Sequence, residues 1–197
     1  MLIIDIRGNP GGTVRCFLPL LPFVCTGPIQ EVDGYQLCSQ ALIDDQRNSL
    51  QEYEKAKDSA RASRTRSYID TLLAHKGSFM AVAGREFPCE AVPNRIQHVA
   101  VLMDHGSRSA AELLILYFRQ SKKVRLFGEN SGGAVDYLDQ LVYWLPNTGF
   151  QFWAASTRRV VTPGAPLYDS QGIPPDIRIN DEVPDWVEWV RKYYDGR

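Results

Sequence analysis

One continuous stretch of the chain decides its fold class. Residues 99–128 read VAVLMDHGSRSAAELLILYFRQSKKVRLFG. Residues 99–103 predict a buried strand, residues 109–118 are apolar almost all round and predict a buried helix, and residues 124–127 predict a second strand. A helix that connects two strands in this way favours a parallel sheet, so the sequence predicts an α/β protein.

The composition is that of an ordinary globular domain. The chain has 197 residues, of which 44% are hydrophobic and 23% are charged. These values exclude disordered, collagen-like and coiled-coil proteins. The formal net charge is only -1, and no apolar run approaches the 18 residues of a membrane span. We therefore expect no nucleic-acid partner and no membrane span.

The four cysteines do not have the arrangement of a zinc site. Cys16, Cys25, Cys38 and Cys89 lack the C-x-x-C spacing and the clustered histidines that such sites use, so no metal is expected. The sequence leaves open whether they are buried thiols or form one or two disulfides.

The chain opens directly on a buried-strand pattern, Leu2–Ile6, which leaves no room for a signal peptide. We expect that an N-terminal segment is missing from this sequence. The compartment is unknown, and a longer precursor is compatible with a periplasmic or extracellular location. An unpaired edge strand of this kind would also favour self-association.

Several weaker patterns complete the predicted secondary structure. Acidic and basic side chains alternate from Asp44 to Arg66 at helical spacing, which predicts a charged helical insertion over roughly residues 40–75 that Gly77 ends. The remaining predictions are a helix at 14–21, a strand at 28–32, a hairpin of strands at 141–145 and 150–154, and a C-terminal helix at 184–190.

Two glycine-rich loops follow predicted strands. Residues 7–13 read RGNPGGT and residues 128–133 read GENSGG. Neither loop has the G-x-G-x-x-G or the Gly-Lys-[Ser/Thr] pattern of a nucleotide site, so no nucleotide cofactor is expected. The glycines and the proline of the first loop fix a tight turn with exposed backbone N–H groups, where chemistry can occur.

Four motifs in a fixed order resemble peptidase family S41, which includes the tail-specific (carboxy-terminal processing) proteases and the tricorn core protease. They are LIIDIRGNPGG at 2–12, SAAE at 109–112, GENSGG at 128–133 and GIPPDI at 172–177. The resemblance implies a bacterial-type catalytic core over residues 1–197, with a crotonase/ClpP-like mixed sheet and flanking helices. It also implies a serine endopeptidase that cleaves peptide or protein substrates through an acyl-enzyme, without a metal or an organic cofactor.

The resemblance places the nucleophile at Ser109. A serine at a helix start, directly after a strand and a glycine turn, presents its hydroxyl beside free helix N–H groups. The same resemblance assigns the oxyanion hole to the backbone of Gly11 and Gly12 and to the N–H of Ala110. The alternative is that Ser109 only starts the helix, because S-x-x-E is also a capping box, and Glu112 is interpreted as a structural cap in both cases.

The general base departs from part of the family pattern. Members with a Ser-Lys dyad carry the lysine in the third motif, where this chain has Ala134. The tricorn-like branch uses a histidine upstream of the Gly-Gly motif, which we expect to lie before this chain, and an acidic residue for which Asp169 is the candidate. Within the chain, His105 is the candidate base because it lies four residues before Ser109. The other basic candidates are interpreted as surface or strand-edge residues: His75, His98, Lys122 and Lys123.

Two other function classes stay open from the sequence. One is a peptide-binding protein without catalysis on the same fold, which labelling of Ser109 by a fluorophosphonate would distinguish. The other is a crotonase-type acyl-CoA enzyme, which shares the oxyanion-hole logic and which a CoA-binding assay would distinguish.

Overall fold

The structure is a computed structural model that describes residues 1–90, 96–161, 165–180 and 182–196. Its contacts divide the chain into two compact units, which are described separately. The helices and strands, in chain order, are β1 (Leu2–Asp5), α1 (Leu21–Val24), β2 (Ile29–Gln30), β3 (Gly34–Leu37), α2 (Gln40–Lys55), α3 (Ser59–Ala74), β4 (Phe79–Val82), β5 (Glu86–Phe87), β6 (Val99–Met103), α4 (Ala110–Phe118), β7 (Val124–Gly128), β8 (Tyr137–Trp144), β9 (Gln151–Arg159), β10 (Ile177–Arg178) and α5 (Trp186–Asp195).

The first unit is built on a parallel sheet. It comprises Met1–Val32, Gly84–Asp136 and Val161–Arg197, and its main sheet has the order β1-β6-β7-β10. All three strand pairs are parallel. Every residue of β6 is buried, as a central strand with both faces covered requires. The predicted α/β fold with a parallel sheet is confirmed.

Two helices of the first unit bury apolar side chains. All nine residues of α4 are buried, which explains why its sequence has no polar face. From α5, Trp186 and Val190 join a core cluster with Leu102 and Phe127 of the sheet. The Asp185 side chain caps α5 by accepting from the Glu188 N–H at 2.9 Å.

The sheet topology brings the glycine-rich loops to one place. Because β1, β6 and β7 are parallel, their carboxyl ends meet at the same edge of the sheet, and each strand is followed there by one of the sequence motifs. The amino ends lie at the opposite edge, about 16 Å away across a five-residue strand. Ser109 therefore lies beyond one edge, whereas Lys123, directly before β7, lies at the other.

Three cysteines adopt states that the sequence left open, one disulfide and one buried thiol, whereas the exposed Cys16 does not. Cys25 and Cys89 form a disulfide that joins the end of α1 to the segment after β5. Cys16 is an exposed free thiol and Cys38 is a buried one.

Two local predictions are wrong in the first unit. The helix predicted at 14–21 is replaced by two 3-10 turns, Val14–Cys16 and Leu18–Leu20, before the short α1. Pro19 and Pro22 lack the N–H that a longer helix would need, so only short turns form. The strand predicted at 28–32 is limited to Ile29–Gln30, which pairs with β5.

The second unit combines a helical pair with an antiparallel sheet. It comprises Asp33–Ala83 and Tyr137–Val160, and its sheet has the order β4-β3-β9-β8. The predicted charged helices are α2 and α3, which break at residues 56–58, where Lys57 has a φ of 56°. Buried side chains of both helices and the sheet form one cluster: Cys38, Leu42, Ile43, Leu72 and Leu141.

The predicted hairpin also belongs to this unit and is longer than expected. β8 starts at Tyr137 and β9 continues to Arg159. Within the described ranges, no helix combines the length and the apolar character that crossing a membrane requires.

Candidate active site

Ser109 has a strained backbone conformation between β6 and α4. Its φ is 53° and its ψ is -117°, outside the regions that L-residues normally occupy. Such a conformation costs on the order of 1–3 kcal/mol and persists only where the surroundings enforce it. A strained serine in a strand-to-helix turn is the geometry that presents a nucleophilic hydroxyl above a sheet. A simple helix cap does not require this conformation, because a cap normally has an extended backbone.

The first glycine-rich loop passes directly against this turn. A Cβ atom at Gly11 would lie 2.8 Å from the Cβ of Ser109 and 3.1 Å from the nitrogen of Ala110, and the φ of Gly11 is 106°. Both facts require glycine at this position. The loop and the turn are also joined by a hydrogen bond, in which the Arg108 N–H donates to the carbonyl of Asn9 at 2.9 Å.

Two of the three predicted oxyanion-hole residues have N–H groups that are open. The Gly11 N–H donates to Oδ1 of Asn9 at 2.9 Å and is therefore already engaged. Gly11 instead allows the first loop to lie close to the Ser109 turn. In the part of the chain that the structure describes, the N–H groups of Gly12 and Ala110 donate to no protein acceptor. Ala110 directly follows Ser109, and Gly12 directly follows Gly11, which contacts the Ser109 turn. The assignment of these amides to an oxyanion hole stays a prediction.

Asp104 and Ser107 hold the first loop against the Ser109 turn. Oδ1 of Asp104 accepts from the N–H of Gly8 at 2.8 Å and from the N–H of Gly106 at 2.9 Å. The fully buried Ser107 donates its hydroxyl to the carbonyl of Ile6 at 2.8 Å. These bonds satisfy buried polar groups and fix the two loops relative to each other.

Glu112 is the centre of the site's polar network. This fully buried carboxylate accepts four hydrogen bonds. Oε2 accepts from the N–H groups of Ser109 at 2.9 Å and Ala134 at 2.8 Å, and Oε1 accepts from the Ser131 hydroxyl at 2.5 Å and the Gly133 N–H at 2.9 Å. Glu112 thus caps α4 as the sequence predicted, and it also ties the nucleophile turn to the third motif.

The fourth motif is attached to the same network. The Ser131 hydroxyl accepts from the Ile173 N–H at 2.7 Å, and the Ser131 N–H donates back to the Ile173 carbonyl at 3.1 Å. A Cβ atom at Gly172 would overlap the Ser131 carbonyl, so glycine is required there as well. All four sequence motifs therefore meet around one turn.

Asp169, the predicted acidic partner, braces the backbone in this structure. Its Oδ1 accepts from the N–H groups of Val135 at 3.2 Å and Asp136 at 3.0 Å. Asp136 returns the contact, because its Oδ2 accepts from the N–H groups of Tyr168 at 2.6 Å and Asp169 at 2.8 Å. The role of Asp169 towards a catalytic histidine stays a prediction.

His105 faces an arginine. Its Nε2 lies 3.2 Å from Nη2 of Arg108, and its carbonyl accepts from Nε of Arg108 at 3.3 Å. Among the hydrogen bonds of the described residues, none joins the His105 ring to Ser109. A base at His105 would therefore need a different ring position from the one observed.

The other basic candidates have partners of their own. Ala134 takes the place of a dyad lysine, and its N–H is bound to Glu112. His98 stacks on Tyr194 with a distance of 4.7 Å between ring centroids, next to the amino end of β6. His75 belongs to the second unit, where its Nδ1 lies 3.0 Å from the Thr71 carbonyl. The structure thus brings Gly11, Ser109 and Ala110 together, whereas the His105 ring contacts Arg108.

The family is decided by a comparison of the sequence with family models. The model of peptidase family S41 matches residues 1–179, a range that contains all four motifs. The chain belongs to peptidase family S41. A search of curated proteins finds no match to this S41 chain.

Solved structures share the fold of this S41 chain at low sequence identity. A candidate peptidase from Parabacteroides merdae is 16% identical with a TM-score of 0.58, over 92% of this chain and 46% of that one. Mature CPAF in complex with lactacystin is 17% identical with a TM-score of 0.60, over 90% and 39%. The photosystem II D1 C-terminal processing protease is 19% identical with a TM-score of 0.54, over 95% and 36%. The S41 chain thus spans less than half the length of these proteins.

Proposed function

We propose that residues 1–197 form the catalytic-core domain of a serine endopeptidase that cleaves peptide bonds through an acyl-enzyme on Ser109. The strained conformation of Ser109, with φ at 53° beside two open amides, carries this proposal. Membership of peptidase family S41 supports the reaction class.

The proposed reaction uses the Ser109 hydroxyl, two backbone amides and a general base. The Ser109 hydroxyl attacks the substrate carbonyl, its proton passes to the general base, and the developing oxyanion accepts hydrogen bonds from the N–H groups of Gly12 and Ala110. Each such donor contributes about 3 to 4 kcal/mol of transition-state stabilisation. The base then protonates the leaving amine, and an ester remains on Ser109. Attack by water releases the acyl part as a carboxylic acid and restores the serine.

We assign the base to a histidine upstream of this sequence, in a tricorn-like arrangement with Asp169 as the acidic partner. Ala134 in the third motif argues against a lysine base, and the contact of the His105 ring with Arg108 argues against His105. His105 is the second candidate, because it precedes Ser109 by one tight turn.

Hydrolysis by matched serine variants tests the proposal, and the variants are made in the protein with the upstream segment that supplies the assigned base. Ser39 is the control because it also caps a helix, accepting from the Leu42 N–H at 3.2 Å, without any part in the site. We expect both Ser109→Ala and Ser39→Ala to fold with a loss of about 1 kcal/mol of stability. Cleavage of a quenched fluorescent peptide library should fall to background for Ser109→Ala and persist for Ser39→Ala. Undiminished cleavage by Ser109→Ala would reject the assignment.

A peptide-binding protein without catalysis is the second candidate function. Ala134 in place of a dyad lysine is the observation that favours it. In that case the wild-type chain binds peptides as tightly as Ser109→Ala does and releases them uncleaved.

A further inference from the structure

Arg108, the residue directly before the nucleophile, is held in one position by its surroundings. A Cβ atom at Gly132 would overlap the Cγ of Arg108 and lie 2.5 Å from its Nε, so the arginine stem lies directly across the Gly132 backbone. The guanidinium also contacts His105 twice, through Nε to the carbonyl at 3.3 Å and through Nη2 to the ring Nε2 at 3.2 Å. These contacts limit the freedom of an otherwise flexible side chain.

The backbone around Arg108 is fixed as firmly as its side chain. The Arg108 N–H donates to the Asn9 carbonyl at 2.9 Å, and the Gly132 N–H donates to the Ser107 carbonyl at 2.8 Å. The segment therefore lies between the first and the third glycine-rich loops. The backbone of Arg108 is therefore fixed directly before Ser109, and its side chain is held against Gly132 and His105.

The charge of Arg108 is not neutralised in the described part of the chain. Six other arginines have a carboxylate within ion-pair distance: Arg7, Arg47, Arg61, Arg66, Arg85 and Arg191. Within residues 1–90, 96–161, 165–180 and 182–196, no carboxylate lies at such a distance from Arg108. The acidic side chains of the same loops, Asp104 and Glu112, accept from backbone amides and hydroxyls instead.

We propose that Arg108 binds a carboxylate of the peptide substrate next to the scissile bond, either an acidic side chain or the terminal carboxylate of the peptide. The exposed guanidinium keeps Nη1 available, and its planar donor pair matches a carboxylate in a bidentate geometry. This inference rests on the proposed function, because Ser109 locates the peptide beside Arg108.

Binding to a cleavage-deficient protein tests the inference without depending on hydrolysis. All variants are made in the Ser109→Ala background, and fluorescein-labelled decapeptide pools are titrated by fluorescence anisotropy. One pair of pools differs by Glu or Gln at a fixed central position, and a second pair without acidic side chains differs by a free or an amidated carboxyl terminus. We expect the carboxylate form of one pair to bind about tenfold more tightly than its neutral form, as for a charge-assisted hydrogen bond. The pair that shows the difference identifies the source of the carboxylate.

Three arginine variants separate recognition from general charge. Arg108→Gln should abolish the preference, and Arg108→Lys should keep only part of it because the donor fork is lost. Arg125→Gln removes the same charge at the opposite edge of the sheet and should leave the preference intact. Thermal melts followed by circular dichroism verify that each variant is folded.

The possible failures are distinguishable from failure of the proposed function. Equal affinity for acidic and neutral pools, equal loss in Arg108→Gln and Arg125→Gln, or no binding of any pool would overturn the role of Arg108. A protein that binds carboxylate pools through Arg108 but never cleaves peptides would overturn the peptidase proposal and leave Arg108 as a carboxylate-binding residue of a peptide-binding protein.

Discussion

The two units of the chain bury polar groups in different ways. In the first unit, Ser107 and Glu112 are wholly buried beneath the glycine-rich loops, and Ser131 and Asp136 are only 1% exposed. The second unit is held by an apolar cluster under α2 and α3, and its ion pairs, such as Lys55 with Glu52, are exposed. The first arrangement fixes loop positions, whereas the second stabilises a scaffold.

This difference shows where the fold carries its chemistry. A buried carboxylate is unfavourable unless its oxygens are satisfied, and Glu112 meets that demand with four donors from two chain segments, the Ser109 turn and residues 131–134. Such a network sustains the strained Ser109 turn. Exposed helix pairs contribute little and tolerate change, so the second unit is expected to accept substitutions that the first cannot.

The largest effect should follow loss of one carboxylate oxygen in the network. Glu112→Gln places an NH₂ group opposite N–H or O–H donors, and we expect a loss of about 4 kcal/mol in the free energy of unfolding. The matched change in the second unit, Glu52→Gln, should cost less than about 0.5 kcal/mol. Urea denaturation measures both, and equal losses would remove the contrast between the units.

A smaller effect is expected from paired glycine substitutions. Gly11 and Gly77 both have positive φ values, 106° and 82°, but a Cβ atom at Gly77 would meet nothing within 4 Å. Gly11→Ala should therefore cost about 3 kcal/mol and Gly77→Ala about 1 kcal/mol. The difference between their unfolding free energies isolates the contact of Gly11 with Ser109. If Gly77→Ala lowers the free energy of unfolding as much as Gly11→Ala does, the contact of Gly11 with Ser109 does not explain the loss of stability.

The smallest effect concerns the pH dependence of the second unit. Burial raises the pKa of Tyr68 to about 12, and its hydroxyl donates to Oε1 of Gln36. The unfolded state loses this proton near pH 10, so the stability that a neutral Tyr68 provides is complete below about pH 10 and decreases as the pH rises towards 12. Tyr68→Phe should show a shallower fall in unfolding free energy between pH 9 and pH 11. A slope as steep as that of the wild type would contradict this origin.

Periodicity predicted the parallel-sheet unit, and motif order predicted the family. The β6-α4-β7 unit follows directly from the apolar pattern of residues 99–128, and the structure reproduces its strands and helix closely. The four motifs identified the family because their order is far more specific than any one of them. Their convergence around Ser109 then follows from the parallel topology, since parallel strands place their carboxyl ends together.

The remaining features depend on contacts that no local pattern encodes. The capping box predicted the bond from Glu112 to Ser109, but the bonds to Ser131, Gly133 and Ala134 join residues about twenty positions apart. Strands β3 and β4 have only four residues each, too few to show a clear alternation of apolar and polar side chains in the sequence. Their pairing partners lie far along the chain. The packing of the Arg108 side chain against the Gly132 backbone also could not be predicted, because only the folded loops bring these residues together.

The most direct test of the central claim is covalent labelling of the folded protein, including the upstream segment assigned to hold the base, with a fluorophosphonate, followed by peptide mapping by mass spectrometry. An activated Ser109 next to an oxyanion hole predicts one phosphonyl adduct, located on the peptide that contains Ser109, and its disappearance on heat unfolding or in Ser109→Ala. Labelling of other serines at a similar rate, or no adduct on folded protein, would contradict the account.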